Sequence, residues 1–110
     1  MALEPPTPVL TRRDELNEIF VEMLGSRNVY FQPDPNYIMD YPAIVYEMDG
    51  QHAAFADNSP WRRKDRYQVT LIDRDPDVPV RRKIETLVEC TFTRSFVSSG
   101  LNHFIYSLYF

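Results

Sequence analysis

Asp73-Arg74-Asp75-Pro76-Asp77 places carboxylates at alternate positions, the spacing with which a calcium-binding loop opens. Such a loop also needs glycine at its sixth position and glutamate at its twelfth, and here those positions hold Val78 and Ile84. A turn leading from a strand into a helix, with Asp at the helix N-terminus, accounts for the same residues. Cys90, His52 and His103 are the candidates for nucleophilic or metal chemistry, yet they stand at no metal-ligand spacing. No flanking signature marks a Cys–His pair either. Cys90 falls in phase with Phe92, which predicts an inert buried thiol. His103, beside Asn102 just after a turn, is expected to make a hydrogen bond that fixes a hairpin. Gly25, Gly50 and Gly100 stand apart from one another, so no glycine-rich phosphate loop can form. The expectation is a protein that is not an enzyme and holds no metal and no cofactor.

Two basic clusters remain, Trp61-Arg62-Arg63-Lys64 and Arg81-Arg82-Lys83. Either can meet nucleic-acid phosphates or an acidic protein surface. The first ends in Asp65, and the second has the look of a solvated helix face. A formal net charge of −4 argues against tight non-specific DNA binding, which normally shows a basic excess. Contact with an acidic surface on a protein partner is as economical a reading, and makes Trp61, Arg62, Arg63, Arg81, Arg82 and Lys83 the hypothesised interface residues.

The elements that must position these residues are legible from pattern. The 110 residues suffice for one domain with a modest core. Seven Tyr, seven Phe and one Trp suit a β-rich domain or a large interface. One cysteine makes no internal disulfide. No apolar run approaches the roughly 20 residues needed to span a bilayer, and the first residues lack a leader's basic and apolar regions. A soluble, cytoplasmic protein is expected.

Pro5, Pro6 and Pro8 make residues 1–10 an extended arm, either a disordered leader or a strap for a neighbouring subunit. Residues 11–110 form the domain. Thr11 is a candidate N-cap with Asp14 in the first turn. Leu16, Ile19, Phe20, Met23 and Leu24 then follow helical spacing, and Gly25 supplies a left-handed stop. Val29-Tyr30-Phe31-Gln32 is a short strand, ended by Pro33-Asp34-Pro35-Asn36. Pro42 opens a strand through Met48, whose apolar run predicts burial on both faces. Asp49-Gly50 reads as a turn. Residues 51–65 read as a long irregular loop, anchored by Phe55 and turning at Asp57-Asn58-Ser59-Pro60. Tyr67, Val69 and Leu71 alternate with Gln68 and Thr70 as a half-buried strand. A short helix starts near Pro79, with Val80, Ile84 and Leu87 facing the sheet and Arg81, Arg82 and Lys83 facing out. Cys90, Phe92, Arg94 and Phe96 alternate with Thr91, Thr93 and Ser95. A turn through Gly100 then returns the chain as a final strand from His103 to Phe110. The sum is an α+β domain: an amphipathic N-terminal helix and a second short helix on a mostly antiparallel sheet of about five strands.

Several of these stretches together resemble the small neck and tail-completion proteins of long-tailed bacteriophages, most of all the tail terminators. The residues are Tyr41-Pro42-Ala43-Ile44-Val45-Tyr46-Glu47, Phe55-Ala56-Asp57-Asn58, Arg66 through Asp77, Phe92-Thr93-Arg94, and Leu101-Asn102-His103 through Phe110. The resemblance implies a structural protein of the virion tail or neck, assembled in the host cytoplasm. It implies a homo-oligomeric ring, typically a hexamer, that caps the tail tube and joins it to a head connector or head-closure protein. DNA would pass through the lumen without specific binding, and no membrane is involved. The alternatives are a head-closure or connector adaptor of the same neck, or a small nucleic-acid-binding module built on the basic clusters.

Overall fold

The computed structural model describes residues 11–56 and 59–110, with side chains described for 11–51 and 64–110. The expected arm over residues 1–10, the Asp57-Asn58 half of the expected turn at Asp57-Asn58-Ser59-Pro60 and the side-chain anchoring by Phe55 lie outside what it describes. Helix α1 (Arg12–Leu24) begins as its residues dictate. The Asp14 backbone N–H donates to Thr11 Oγ1, and the Thr11 N–H donates to the Asp14 carboxylate, both at 3.1 Å. This reciprocal box satisfies two N–H groups that a helix start otherwise leaves orphaned. Gly25, at φ 73°, ends the helix with its N–H on the Val21 carbonyl, a conformation that costs glycine little.

Strand β1 (Val29–Phe31) follows, then β2 (Ala43–Ala56), β3 (Ser59–Asp73), helix α2 (Val80–Ile84), β4 (Cys90–Ser98) and β5 (Leu101–Tyr109). The sheet runs β1-β2-β3-β5-β4, so β1 and β4 are its edges. Only β1–β2 is parallel; the other pairs are antiparallel. The architecture is the expected α+β arrangement, with both helices on one face of a five-stranded, mostly antiparallel sheet.

Period-two alternation decides which residues meet the helices. Ile44 and Tyr46 of β2, Tyr67, Val69 and Leu71 of β3, and Phe104, Tyr106 and Leu108 of β5 pack with Leu16, Phe20 and Ile84. Tyr46 sits at the centre, 5.3 Å from the Phe20 ring, 5.0 Å from Phe31 and 5.9 Å from Tyr67. Its hydroxyl donates to Asn17 Oδ1 at 2.7 Å, so the buried phenol is not left unpaired. Burial raises the Tyr46 hydroxyl to about 12. Double-faced burial of β2 holds only at its start: Ala43, Ile44 and Tyr46 are buried, whereas Glu47 and Met48 are exposed.

The largest departure from the sequence expectation lies at 49–65. Asp49-Gly50 does not reverse the chain, and the segment is not an irregular loop. The β2–β3 ladder shifts register between Met48 and Gly50 and continues through Gln51↔Asp65 and Ala53↔Arg63 to Ala56↔Ser59. Gly50 marks a bulge, where the Arg66 guanidinium lies so close that a Cβ would sit 2.9 Å from Nη2. Arg66 Nε donates to Asp49 Oδ1 and its Nη2 to the Asp49 carbonyl, each at 2.8 Å, which holds the bulge shut.

Candidate functional site

The ladder that replaces the loop outruns its neighbours. β1 leaves β2 at Phe31↔Tyr46, and β5 leaves β3 at Arg66↔Tyr109. Asp65 and Phe110 still exchange two backbone hydrogen bonds, and beyond them β2 and β3 continue with each other as a two-stranded arm. Arg62 and Arg63 fall on this arm, opposite Ala54 and Ala53, and a second register shift leaves Trp61 with no Cα partner. The side chains of Trp61, Arg62 and Arg63 lie outside the described residues. At the arm's base, Lys64 Nζ donates to Glu89 at 2.9 Å, tying the arm to the segment before β4.

The second basic cluster stands on α2, and its three residues have three different roles. Arg82 is a surface side chain, 82 % exposed and paired with Glu85 at 3.2 Å. Lys83 Nζ reaches the Met23 carbonyl at 3.5 Å, near the C-terminal end of α1. Arg81 corrects the expectation that it faces out. Its guanidinium carbon lies 4.3 Å over the Phe104 ring and 5.7 Å from that of Phe92. Its Nε is buried with no hydrogen-bond partner among the described residues. A five-residue helix between two buried anchors, Val80 and Ile84, cannot turn every intervening residue to solvent. Arg81 therefore lays its stem and charge on the aromatic face of β5 and β4. Beside it the Tyr106 hydroxyl is also buried and makes no well-formed hydrogen bond among the described residues; burial raises it, and the polar interaction with the Arg81 guanidinium offsets part of that rise. Arg81, Arg82 and Lys83 thus do not form a patch of three equivalent contact residues.

The alternating carboxylates make a turn. Asp73 Oδ1 accepts from the Asp75 N–H at 3.1 Å, and Asp75 Oδ1 from the Asp77 N–H at 2.9 Å, two successive Asx turns. Asn102 Nδ2 locks the turn by donating to the carbonyls of Asp73 and Arg74. Asp77 does not cap α2, whose N-cap position is Pro79 with no side-chain hydrogen bond. A cleft of about 560 Å³ beside this turn is lined by Met39, Asp40, Tyr41, Pro42, Asp73 and Arg74, with no nucleophile–base pair among them. Among the described residues no cluster of three His, Cys, Asp or Glu could hold a metal ion, and no helix is long and apolar enough to cross a membrane.

His103 behaves as expected: its Nδ1 lies 3.0 Å from the Leu101 carbonyl and its ring stacks on Phe96 at 4.5 Å. Cys90 and Phe92 do not. Cys90 is only half-buried, although burial still pushes its thiol up to about 11, and Phe92 is 43 % exposed. The reason is the position of β4 at the sheet edge. A register shift between Phe92 and Arg94 also moves Arg94 and Phe96 onto the face opposite Cys90 and Phe92. The strand therefore shows Phe92 and Val97 on one side and Phe96 on the other, and every residue after Cys90 is exposed.

A second exposed apolar element was missed by pattern reading. In the loop between β1 and β2, Ile38 is 91 % exposed and Tyr37 more than half. The signal was present as Tyr37-Ile38-Met39 between prolines, but it belongs to no periodic element and so passes for loop filler. No protein-family model matches the chain, and no curated protein matches it.

Proposed function

We propose that the protein is a tail terminator of a long-tailed bacteriophage, a non-enzymatic subunit whose ring caps the tail tube and joins it to the head. One observation carries the reading beyond the sequence resemblance: the two-stranded arm formed by β2 and β3 past the flanking strands. An isolated two-stranded ribbon is at best marginally stable in water, so an arm of this length gains its stability by lying on another chain. The α+β core, with both helices on one face, supplies the rigid base that such a contact needs. In this reading the arm, with Arg62 and Arg63, meets the tube or a neighbouring subunit, and one ring face offers no surface for a further layer.

The test is mass measurement by light scattering after gel filtration, negative-stain imaging of any large peak, and co-sedimentation with purified tails. A closed ring that co-sediments with tails is expected. An Arg62→Glu, Arg63→Glu double variant should keep its fold yet fail to join heads to tails. Normal assembly by that variant overturns the role given to the arm. Binding to capsid portals but not to tails favours a head-closure adaptor, and salt-sensitive DNA binding favours a nucleic-acid module.

A further inference from the structure

The two exposed apolar elements sit at opposite edges of one sheet. The loop over residues 33–42 leaves β1, one edge. β4, the other, exposes Phe92 and Val97 on one face and Phe96, beside Arg94, on the opposite face, with Val88 just before it, so that a contact there straddles the edge. Four strand spacings, about 19 Å of sheet, separate the edges, so the loop of one chain cannot reach the β4 edge of the same chain.

The loop is held ready. The Tyr37 ring lies 5.4 Å from that of Tyr30 on β1, the Asp40 N–H donates to the Tyr30 hydroxyl at 3.2 Å, and the Tyr37 N–H closes a turn on the Asp34 carbonyl at 2.9 Å. Ile38 therefore projects from a braced loop, which lowers the ordering cost of inserting it into a partner. The receiving edge is unusual in its lack of protection. β4 has nine residues, no proline and no lysine, and its only charge is Arg94; natural edge strands normally carry such blockers.

The charges match as well. Asp34 and Asp40 are the only charged residues of the 33–42 loop, and both are acidic. Arg94, the one charge on β4, rests 5.4 Å from the Phe96 ring and has no carboxylate partner among the described residues. Each chain carries one acidic apolar knob and one basic apolar edge, and neither is covered by another part of the chain among the described residues.

We infer that copies of this chain associate head to tail, the Ile38 loop of one copy seating on the β4 edge of the next. Asp40 or Asp34 then lies toward Arg94. A contact between different patches propagates, closing into a ring if the rotation permits, whereas a shared patch would stop at a two-fold dimer. The biological setting of this contact rests on the proposed ring, but its geometry is testable without any phage component.

The experiment uses the full chain, with circular dichroism to confirm the fold of each variant and sedimentation analysis to read mass. Ile38→Asp and Val97→Asp each replace an exposed side chain, and each should weaken self-association by about tenfold or more. Mixed in equal amounts, the two variants should form a one-to-one dimer and nothing larger, because the intact knob of one meets the intact edge of the other. Arg94→Asp alone should weaken association, and adding Asp34→Arg and Asp40→Arg should restore it. A two-fold β4–β4 contact would instead leave Ile38→Asp unaffected and give no rescue on mixing, which overturns the inference. Association of both variants at wild-type strength also overturns it, while leaving a ring built on the arm intact. A wild-type chain that stays monomeric at about 1 mM overturns it too, and tail capping is then decided separately by co-sedimentation.

Discussion

Arg81 gives the sharpest test of the division between core and surface on α2. Replacing it by alanine removes a guanidinium 4.3 Å over the Phe104 ring, a contact worth about 1 kcal/mol when partly desolvated. It also strips a stem that covers apolar surface, about 0.8 kcal/mol for each methylene's worth of burial lost. Together Arg81→Ala should cost about 2 kcal/mol. For a domain of this size, at about 4 °C per kcal/mol, Tm falls by about 8 °C. Arg81→Met keeps the stem and loses the ring contact, about 1 kcal/mol. It also deletes a buried Nε without a hydrogen bond among the described residues, which returns a cost of about the same size; it should therefore melt close to the wild type. Arg82→Ala removes only an exposed pair with Glu85 and should stay within about 0.5 kcal/mol of the wild type. Thermal melts followed by circular dichroism measure all three. The reasoning fails if Arg81→Ala melts with the wild type, and fails more sharply if that variant loses self-association while Tm is unchanged.

Thr11→Ala should cost about 1 kcal/mol by opening the α1 capping box, measurable by urea titration. Asp14 is held below its ordinary value by the Thr11 backbone N–H and then the Thr11 hydroxyl. Its contribution is present above the unfolded value of 3.8 and is lost as pH falls through the lower folded value; Thr11→Ala should flatten that acid limb. Tyr46→Phe should lose about 1 kcal/mol with the hydrogen bond to Asn17. At the alkaline end, burial raises Tyr46 to about 12 and Cys90 to about 11, above their ordinary 10.0 and 9.0. Stability from these groups is therefore full below pH 9.0 and lost as pH rises through the folded-state values. Gly50→Val should displace the Arg66 guanidinium from Asp49, lower Tm by a few degrees and speed amide exchange over the arm, while exchange in β5 is unchanged. Equal acceleration in both would contradict a local role for that clamp.

What the chain determines without tertiary help is what neighbouring residues decide among themselves. Thr11 and Asp14 form their box, and Gly25 its left-handed stop, from contacts a few residues apart. Asp73, Asp75 and Asp77 make their turns from hydrogen bonds two residues apart. The order of helices and strands, and the phase of Tyr67, Val69 and Leu71, follow from the same short-range periodicity. Long-range pairing decided the rest. Residues 49–56 carry no clean alternation, and only the ladder opposite them makes them a strand, with Gly50 as bulge instead of turn. The shift at Thr93 reverses which β4 side chains face the helices, and no residue of β4 announces it, because a bulge is a property of two strands. Arg81 lies in a basic triplet, and only the aromatic surface of Phe104 and Phe92, brought from distant strands, draws it out of solvent. The edges themselves, and the exposed Ile38 and Val97 they carry, exist only once five strands have taken their order. Hydrogen bonds between near neighbours are written locally; register, edge and burial are relations between distant segments, and these set the surfaces on which the proposed assembly depends.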